Sequence, residues 1–238
     1  MDFYCRFPGM KPARRVITTS PQRTVGAVHA NWFQDGPIHH ESDLEADVIK
    51  VLLMAPTVRL IQHQPVRLTY SDGETERKHF PDLGLTLADG TTAYVEVKPK
   101  KFVPEHLVKF NACAALLRKK DVDYFVVTDE QVGTERSWHA QTIYDMAKRS
   151  APADALAALV DWVRERRSAS VADVLGAGFS EPLLQHAVGR RRLLTDPSLE
   201  LNPGSWLTTQ DTADELLSLA SWLGCTPWPR GTTDNTEW

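Results

Sequence analysis

Residues 79–100 read HFPDLGLTLADGTTAYVEVKPK, and no other stretch constrains the fold of this chain as tightly. Two β-prone runs, 80–87 and 93–97, flank Asp89-Gly90, a strong hairpin-turn signal. Pro81-Asp82 opens the first run, and Glu96-Val97-Lys98 closes the second. Glu96 and Lys98 are two positions apart, so they point to the same face of their strand. Register decides whether Asp82 joins them. A two-residue loop at Asp89-Gly90 pairs Ala88 with Thr91 and sets Asp82 opposite Val97, on the wrong face. A three-residue loop or a bulge shifts the parity and unites all three side chains. Gly84 is a candidate bulge position. A site built from these residues therefore requires an irregular hairpin.

The residue types point to phosphodiester hydrolysis. Carboxylate oxygens suit Mg²⁺, which is held by one or two carboxylates while waters and substrate phosphate complete its shell. Such an ion activates water and neutralises phosphate charge. Lys98 beside it would position the attacking water or stabilise the transition state. The ordinary alternative is an exposed hairpin with a solvated Glu/Lys pair.

The flanking chain reads as alternating strands and helices. Residues 43–54 form a helix with an apolar stripe of Leu44, Val48, Val51 and Leu52, and Glu45 lies at its edge. Ser42 and Glu45 have the spacing of a capping box, in which Glu45 would bond the Ser42 N–H. Residues 58–62 and 66–70 are short strands, with a turn at 71–74. Gln64, before Pro65, is either a site-lining residue or a strand-end hydrogen-bonding residue. Pro104 starts a helix to about Lys120, whose Leu107, Phe110, Ala114 and Leu117 face the core. Residues 122–128 form a buried strand. Strand, helix and strand in succession imply a right-handed crossover and a parallel pair beside the hairpin. Residues 134–149 are helical, with Trp138 and Tyr144 directed to the core.

These elements resemble the N-terminal domain of TnsA, the endonuclease subunit of heteromeric cut-and-paste transposases, within the PD-(D/E)xK nuclease superfamily. Pro81-Asp82 and Glu96-Val97-Lys98 supply the motif, and the similarity covers about Val16 to Ile143. The resemblance implies an α/β, restriction-endonuclease-like mixed sheet flanked by helices. It implies an Mg²⁺-dependent endonuclease, with Mn²⁺ able to substitute, that cleaves one strand of double-stranded DNA at transposon ends. The implied partners are a DDE transposase subunit, which cuts the other strand, and an AAA+ ATPase regulator. The implied setting is the bacterial cytoplasm, at the nucleoid. Glu45 is carried over as a third carboxylate, with Glu41 as the fallback. Asp82, Glu96, the Val97 carbonyl and Glu45 are then the metal ligands, and Lys98 serves the water. A freestanding restriction-type or repair nuclease of the same fold, or a catalytically silent DNA-binding or assembly subunit, are the alternatives.

With 238 residues, the chain has room for one large domain or two small ones. Composition shifts near Arg149, which divides the chain into an endonuclease domain with an irregular N-terminal arm (1–148) and a small helical, winged-helix-like partner- or DNA-binding domain with a flexible tail (149–238). In the second part, helices are expected at 153–167, 170–175 and 180–191. Wing strands are expected at Leu193-Leu194 and 205–207, and an acidic helix at 211–222. The module at 153–222 reads as separately folded, and the segment 225–238 as disordered or docked only in a complex. Formal net charge is −4, so DNA contact must come from local patches. Candidates are Arg14-Arg15 with Arg23, Lys98 with Lys100-Lys101, Arg118-Lys119-Lys120, 164–167 and Arg190-Arg191-Arg192. Lys100 and Lys101 adjoin the motif and are the favoured DNA-binding residues. The three cysteines, Cys5, Cys113 and Cys225, give neither zinc spacing nor a disulfide framework, which fits a reducing cytoplasm. No membrane span or signal peptide is expected.

Overall fold

Alternation along one strand explains how the layers assemble. In the computed structural model, which describes Ala13, residues 24–213 and residues 215–228, the chain opens with strands β1 (Gly26–Val28) and β2 (Ile38–His40), an antiparallel pair. Arg14, Arg15, Arg23 and Cys5 lie outside the described residues. Helix α1 (Asp43–Leu53) follows, capped by the Ser42 hydroxyl, which accepts from the Glu45 N–H. Then come β3 (Val58–His63), a hairpin of β4 (Leu68–Ser71) and β5 (Glu76–His79), and the motif hairpin of β6 (Leu83–Leu87) and β7 (Thr92–Val97). Two 3-10 turns, Lys100–Phe102 and Pro104–His106, lead into α2 (Leu107–Arg118), and β8 (Asp123–Val127) completes the unit. The central sheet runs β3-β6-β7-β8, antiparallel except for the parallel β7/β8 pair. The mixed sheet and the helical crossover match expectation, although Pro104 starts a 3-10 turn and not the α-helix itself.

Ala93, Val95 and Val97 of β7 enter one hydrophobic cluster with α1, while Tyr94 enters a second with Phe110, Ala114 and Leu117 of α2. The period of two thus sends the strand's residues into two layers, one on each face. Helix α1 is buried nearly all round, so its stripe is wider than the sequence pattern alone suggests.

The motif hairpin has the shifted parity. Leu83 pairs with Val95, Gly84 with Tyr94 and Thr86 with Thr92, while the Leu87 N–H donates to the Thr91 carbonyl at 2.9 Å. The loop is therefore the three residues Ala88, Asp89 and Gly90, with Gly90 at φ +85°, a conformation that glycine supplies without steric cost. Asp89 reinforces it by accepting from the Thr91 N–H and hydroxyl. Gly84 is not a bulge. It sits in regular pairing between β3 and β7, and the irregularity falls in β3, between Val58 and Leu60. Gly84 is needed for close approach instead: a Cβ there would lie 2.5 Å from Pro65 Cγ and 3.3 Å from Tyr94 Cε1. Gly84→Ala is expected to destabilise the fold by about 1–3 kcal/mol, because the rigid proline ring has to be displaced. Denaturant unfolding checks this, and an unchanged midpoint would contradict it.

The remaining chain is α3 (Asp129–Val132), α4 (Thr134–Lys148), α5 (Ala153–Glu165), β9 (Ser168–Ser170), α6 (Val171–Gly176), α7 (Glu181–Gly189), β10 (Trp206–Thr208) and α8 (Leu219–Leu223). Three expectations fail here. Trp138 is 64% exposed, because it lies about 200° around α4 from Ala140, and the buried face is Ala140, Ile143, Tyr144 and Ala147. The acidic helix at 211–222 is confined to Leu219–Leu223. The tail is not free as far as Trp228, whose indole N–H donates to Asn111 Oδ1 at 2.7 Å and whose ring meets Phe110 edge-on; residues 229–238 lie outside the described residues. Strand β9, unrecognised in the sequence, pairs with β10, and Leu194 bridges to Thr208 on the other edge.

The change of composition near Arg149 does not mark a break in the core. One hydrophobic cluster contains Val48 and Leu52 of α1, Ile143 of α4, and Leu184, Val188 and Trp222 from beyond it. Arg190 and Arg191 rivet the same boundary. Arg190 Nε donates to the Ala147 carbonyl at 2.8 Å and its guanidinium covers the Trp32 ring, while Arg191 donates to the carbonyls of Ala55 and Val58. Burial, with Arg59 nearby, lowers the Arg191 pKa to about 10. Of the candidate patch Arg190–Arg192, two of the three guanidiniums thus turn inward, and Arg192 alone is exposed.

Candidate active site

The three-residue loop sets the positions for the chemistry. Continuing the β6/β7 register by one step places Asp82 opposite Glu96, and the Val97 N–H donates to Asp82 Oδ2 at 2.8 Å. The Asp82 carbonyl accepts from Gln64 N at 2.9 Å, which ties the end of β3 to the motif. Gln64 adopts φ 43° and reaches with its amide to Glu41 Oε1 at 3.3 Å. It serves both readings of the sequence: a structural bond at the strand end and a side chain bordering the carboxylates.

Glu45 enters from the first turn of α1. Its Oε2 accepts from the Glu41 N–H at 2.8 Å and its Oε1 from the Ser42 hydroxyl at 3.1 Å. The capping interaction is thus reciprocal but reaches Glu41, one residue beyond the donor expected. Glu45 is buried, and burial raises its pKa; bonds from Glu41 and Ser42 oppose that, while the charges of Glu41 and Glu96 add to it.

Asp82 is more strongly affected. Burial pushes its pKa well up, the charges of Glu96 and Glu45 push it further, and the Val97 N–H and Lys98 only partly offset them. These mutual effects place Glu45, Asp82 and Glu96 within electrostatic reach of one another, with Lys98 beside Asp82.

Glu96 differs because it has cationic neighbours. Burial alone would raise its pKa, but His79 and Lys109 overcome that and hold it below the ordinary value. Lys109 Nζ donates to Oε1 at 2.6 Å, and His79 Nε2 lies 2.8 Å from Oε2. That second contact is an ion-pair distance without hydrogen-bond alignment. Sequence reading missed both residues. His79 stands at the end of β5, and Lys109 flanks the apolar stripe of α2; neither position has a spacing relation to Glu96.

Lys98 is half-buried, and its N–H donates to the Val127 carbonyl at 3.0 Å, which fixes the strand end that carries it. Lys100 and Lys101 are exposed. Lys100 Nζ pairs with Glu130 at 2.6 Å and its N–H donates to Asp129, while the Lys101 amine lies over the Phe102 ring.

Residues 55–129 match the family model of the TnsA-like endonuclease N-terminal domain. The chain carries a TnsA-type nuclease domain. The matched segment runs from the turn before β3 through β8, so it contains Asp82, Glu96, Lys98 and Lys109 and stops short of Glu45. Comparison with curated proteins gives no match. Among the described residues of this TnsA-like chain, no helix is long and apolar enough to cross a membrane. A cavity lined by Trp138, His139, Glu181 and Gln185 contains none of the motif residues.

The donor set of the TnsA-like domain is chemically suited to a hard divalent cation. Its oxygens repel one another, and two of the three carboxylates have raised pKa values that a cation would reverse. As placed, the side chains do not close around a point: among the described residues no group of three or more His, Cys, Asp or Glu is arranged to hold a metal. The physical reason is visible at Glu96, whose two oxygens face Lys109 and His79.

Proposed function

We propose that this protein is a metal-dependent DNA endonuclease that cleaves one strand at transposon ends, as the nuclease subunit of a heteromeric transposase. What supports the reading is the match of residues 55–129 to a TnsA-like endonuclease domain, in which Asp82 and Glu96 stand opposite each other at the ends of β6 and β7, with Glu45 of α1 within electrostatic reach. Asp82, Glu96, Glu45 and the Val97 carbonyl would hold Mg²⁺ or Mn²⁺. Such an ion supplies charge neutralisation at the phosphate and an acidified water. Asp82 is oriented by the Val97 N–H and Glu45 by Glu41 and Ser42, and the Lys98 amine would orient the attacking water.

The second half of the chain supports a docking role. Its order of helix, strand, two helices and a returning strand resembles a winged helix. In such a module α7 would be the reading helix, yet its Leu184, Ala187 and Val188 are buried and its first turn carries Glu181. With Arg190 and Arg191 also committed internally, contact with partner proteins, a DDE transposase and an AAA+ ATPase, is favoured over DNA readout. Lys100 and Lys101, exposed just after the motif, would hold the DNA backbone, with Lys100 exchanging Glu130 for phosphate.

Purified full-length protein with Mg²⁺ is therefore expected to bind DNA weakly, with affinity that falls steeply as salt rises. It is expected to nick without sequence preference. End-specific cutting is expected only when the transposase is added, measured on a supercoiled plasmid carrying the transposon ends. Efficient cutting of a defined sequence by the protein alone would establish the restriction-type alternative. Absence of cutting in the complete mixture would establish the silent subunit.

A further inference from the structure

Glu96 is 2% exposed, with the Lys109 ammonium 2.6 Å from one oxygen and the His79 ring 2.8 Å from the other, an arrangement that the proposed chemistry does not require. The two side chains come from different elements: His79 from β5 and Lys109 from α2. Lys109 is itself held in place. Its amine lies 4.7 Å from the centre of the Phe110 ring, and Phe110 is fully buried between Tyr124 and Trp228. A carboxylate already neutralised at 2.6 Å is a poor ligand, because a divalent ion must first displace the amine and then sit beside it. Among the described residues, the neighbouring carboxylates Glu45 and Asp82 are met by N–H groups and a hydroxyl and not by a cation at hydrogen-bond distance.

We propose that Lys109 is a displaceable internal counter-ion that occupies Glu96 and sets a high threshold for divalent-cation binding by the DNA-free protein. Lys109 is thus a positioning residue. It keeps the buried carboxylate compensated when no ion is present and keeps the site from loading on its own. A cation that brings additional negative ligands, as an ion bound to a DNA phosphate does, overcomes the threshold, because the released Lys109 ammonium then has an anion to face. This inference rests on the metal-nuclease reading and adds that the site loads together with its substrate.

The test is Mn²⁺ binding to the full-length protein without DNA at one fixed pH, followed by the electron paramagnetic resonance of free Mn²⁺. Lys109→Met removes the charge but keeps the stem over Phe110. It is expected to bind Mn²⁺ at least about tenfold more tightly than wild type, since one close like charge is removed from the site. Lys109→Arg restores a cation and is expected to return affinity to the wild-type level, a rescue that a merely structural lysine would not predict. A phosphorothioate-blocked, uncleavable duplex is expected to tighten Mn²⁺ binding in wild type far more than in Lys109→Met. Equal Mn²⁺ affinity in wild type and Lys109→Met, both with native circular dichroism, would overturn the counter-ion role and leave the nuclease reading standing. No Mn²⁺ binding in any variant, with or without DNA, would overturn both.

Discussion

Asp82→Asn and Glu96→Gln are each expected to lower Mg²⁺-dependent nicking by about a thousandfold or more, because on the proposed reading each would remove an anionic ligand. They are expected to move the stability of the metal-free protein in opposite directions. Asp82 is a carboxylate whose pKa is raised by burial and by its neighbours Glu96 and Glu45. A group with a raised folded-state pKa contributes stability below its unfolded value and loses it as pH rises through the folded value. At neutral pH its charge is therefore a cost that Asn removes, while the Asn carbonyl can still accept from Val97. Glu96 has the opposite sign, since His79 and Lys109 outweigh burial and lower its pKa. Its contribution is present above the ordinary carboxylate range and disappears as pH falls through the lowered value. Glu96→Gln leaves Lys109 and His79 facing a neutral amide at side-chain exposures of only 17% and 11%. Breaking such a pair is expected to cost about 3 kcal/mol. Melting curves in chelator from about pH 4 to about pH 8 read both effects. Asp82→Asn should match or exceed wild type at neutral pH, with the gap closing toward acid, and Glu96→Gln should melt lower. Wild-type cutting by either variant would sink the site assignment.

How much of this site the sequence discloses depends on whether its geometry is local. Glu96 and Lys98 share a face because strands have a period of two, and the Asp89-Gly90 turn limits the register of Asp82 to two parities. The chemistry selects the parity that the structure has, with a loop of Ala88, Asp89 and Gly90. The capping of α1 and the stripe of α2 are local in the same sense. Lys109 and His79 are invisible because nothing along the chain relates them to Glu96; tertiary packing of α2 and the β4/β5 hairpin brings them there. The same limit explains the basic run at Arg190 and Arg191. Three consecutive arginines read as a solvent-facing patch, but a chain leaving α7 against α4 and β3 turns two of them onto backbone carbonyls. Trp222 reads as part of an acidic surface helix, yet its indole N–H donates to the Val51 carbonyl at 3.0 Å inside the core.

That last contact motivates the second large effect. Ending the chain after Arg149 keeps Glu45, Asp82, Glu96 and Lys98, so a sequence argument alone expects a soluble, metal-competent fragment. The structure leads to the opposite expectation. Truncation removes Trp222, which is 1% exposed and bonded to α1, and Arg136 loses the Trp222 carbonyl to which it donates. It removes Leu184, Ala187 and Val188 from the face of α4, and Arg191 from the carbonyls of Ala55 and Val58. Loss of one buried tryptophan costs about 3–5 kcal/mol, and a domain has only about 5–15 kcal/mol in total. Removing the tryptophan together with a helix interface and a buried guanidinium exceeds that range's lower half. The fragment 1–149 is expected to aggregate on expression, or to lack a cooperative melt if it is recovered. Trp222→Ala in the full-length chain is the milder form, expected to lower the melting temperature while the protein still folds. A soluble 1–149 fragment with a cooperative transition near that of the full chain would show that the second half is an independent module. An intact fold in Trp222→Ala, with unchanged melting, would show that the contact with α1 contributes nothing. Trp222, from the second half of the chain, thereby anchors α1, the helix that carries Glu45, so the position of that carboxylate depends on packing against the second half.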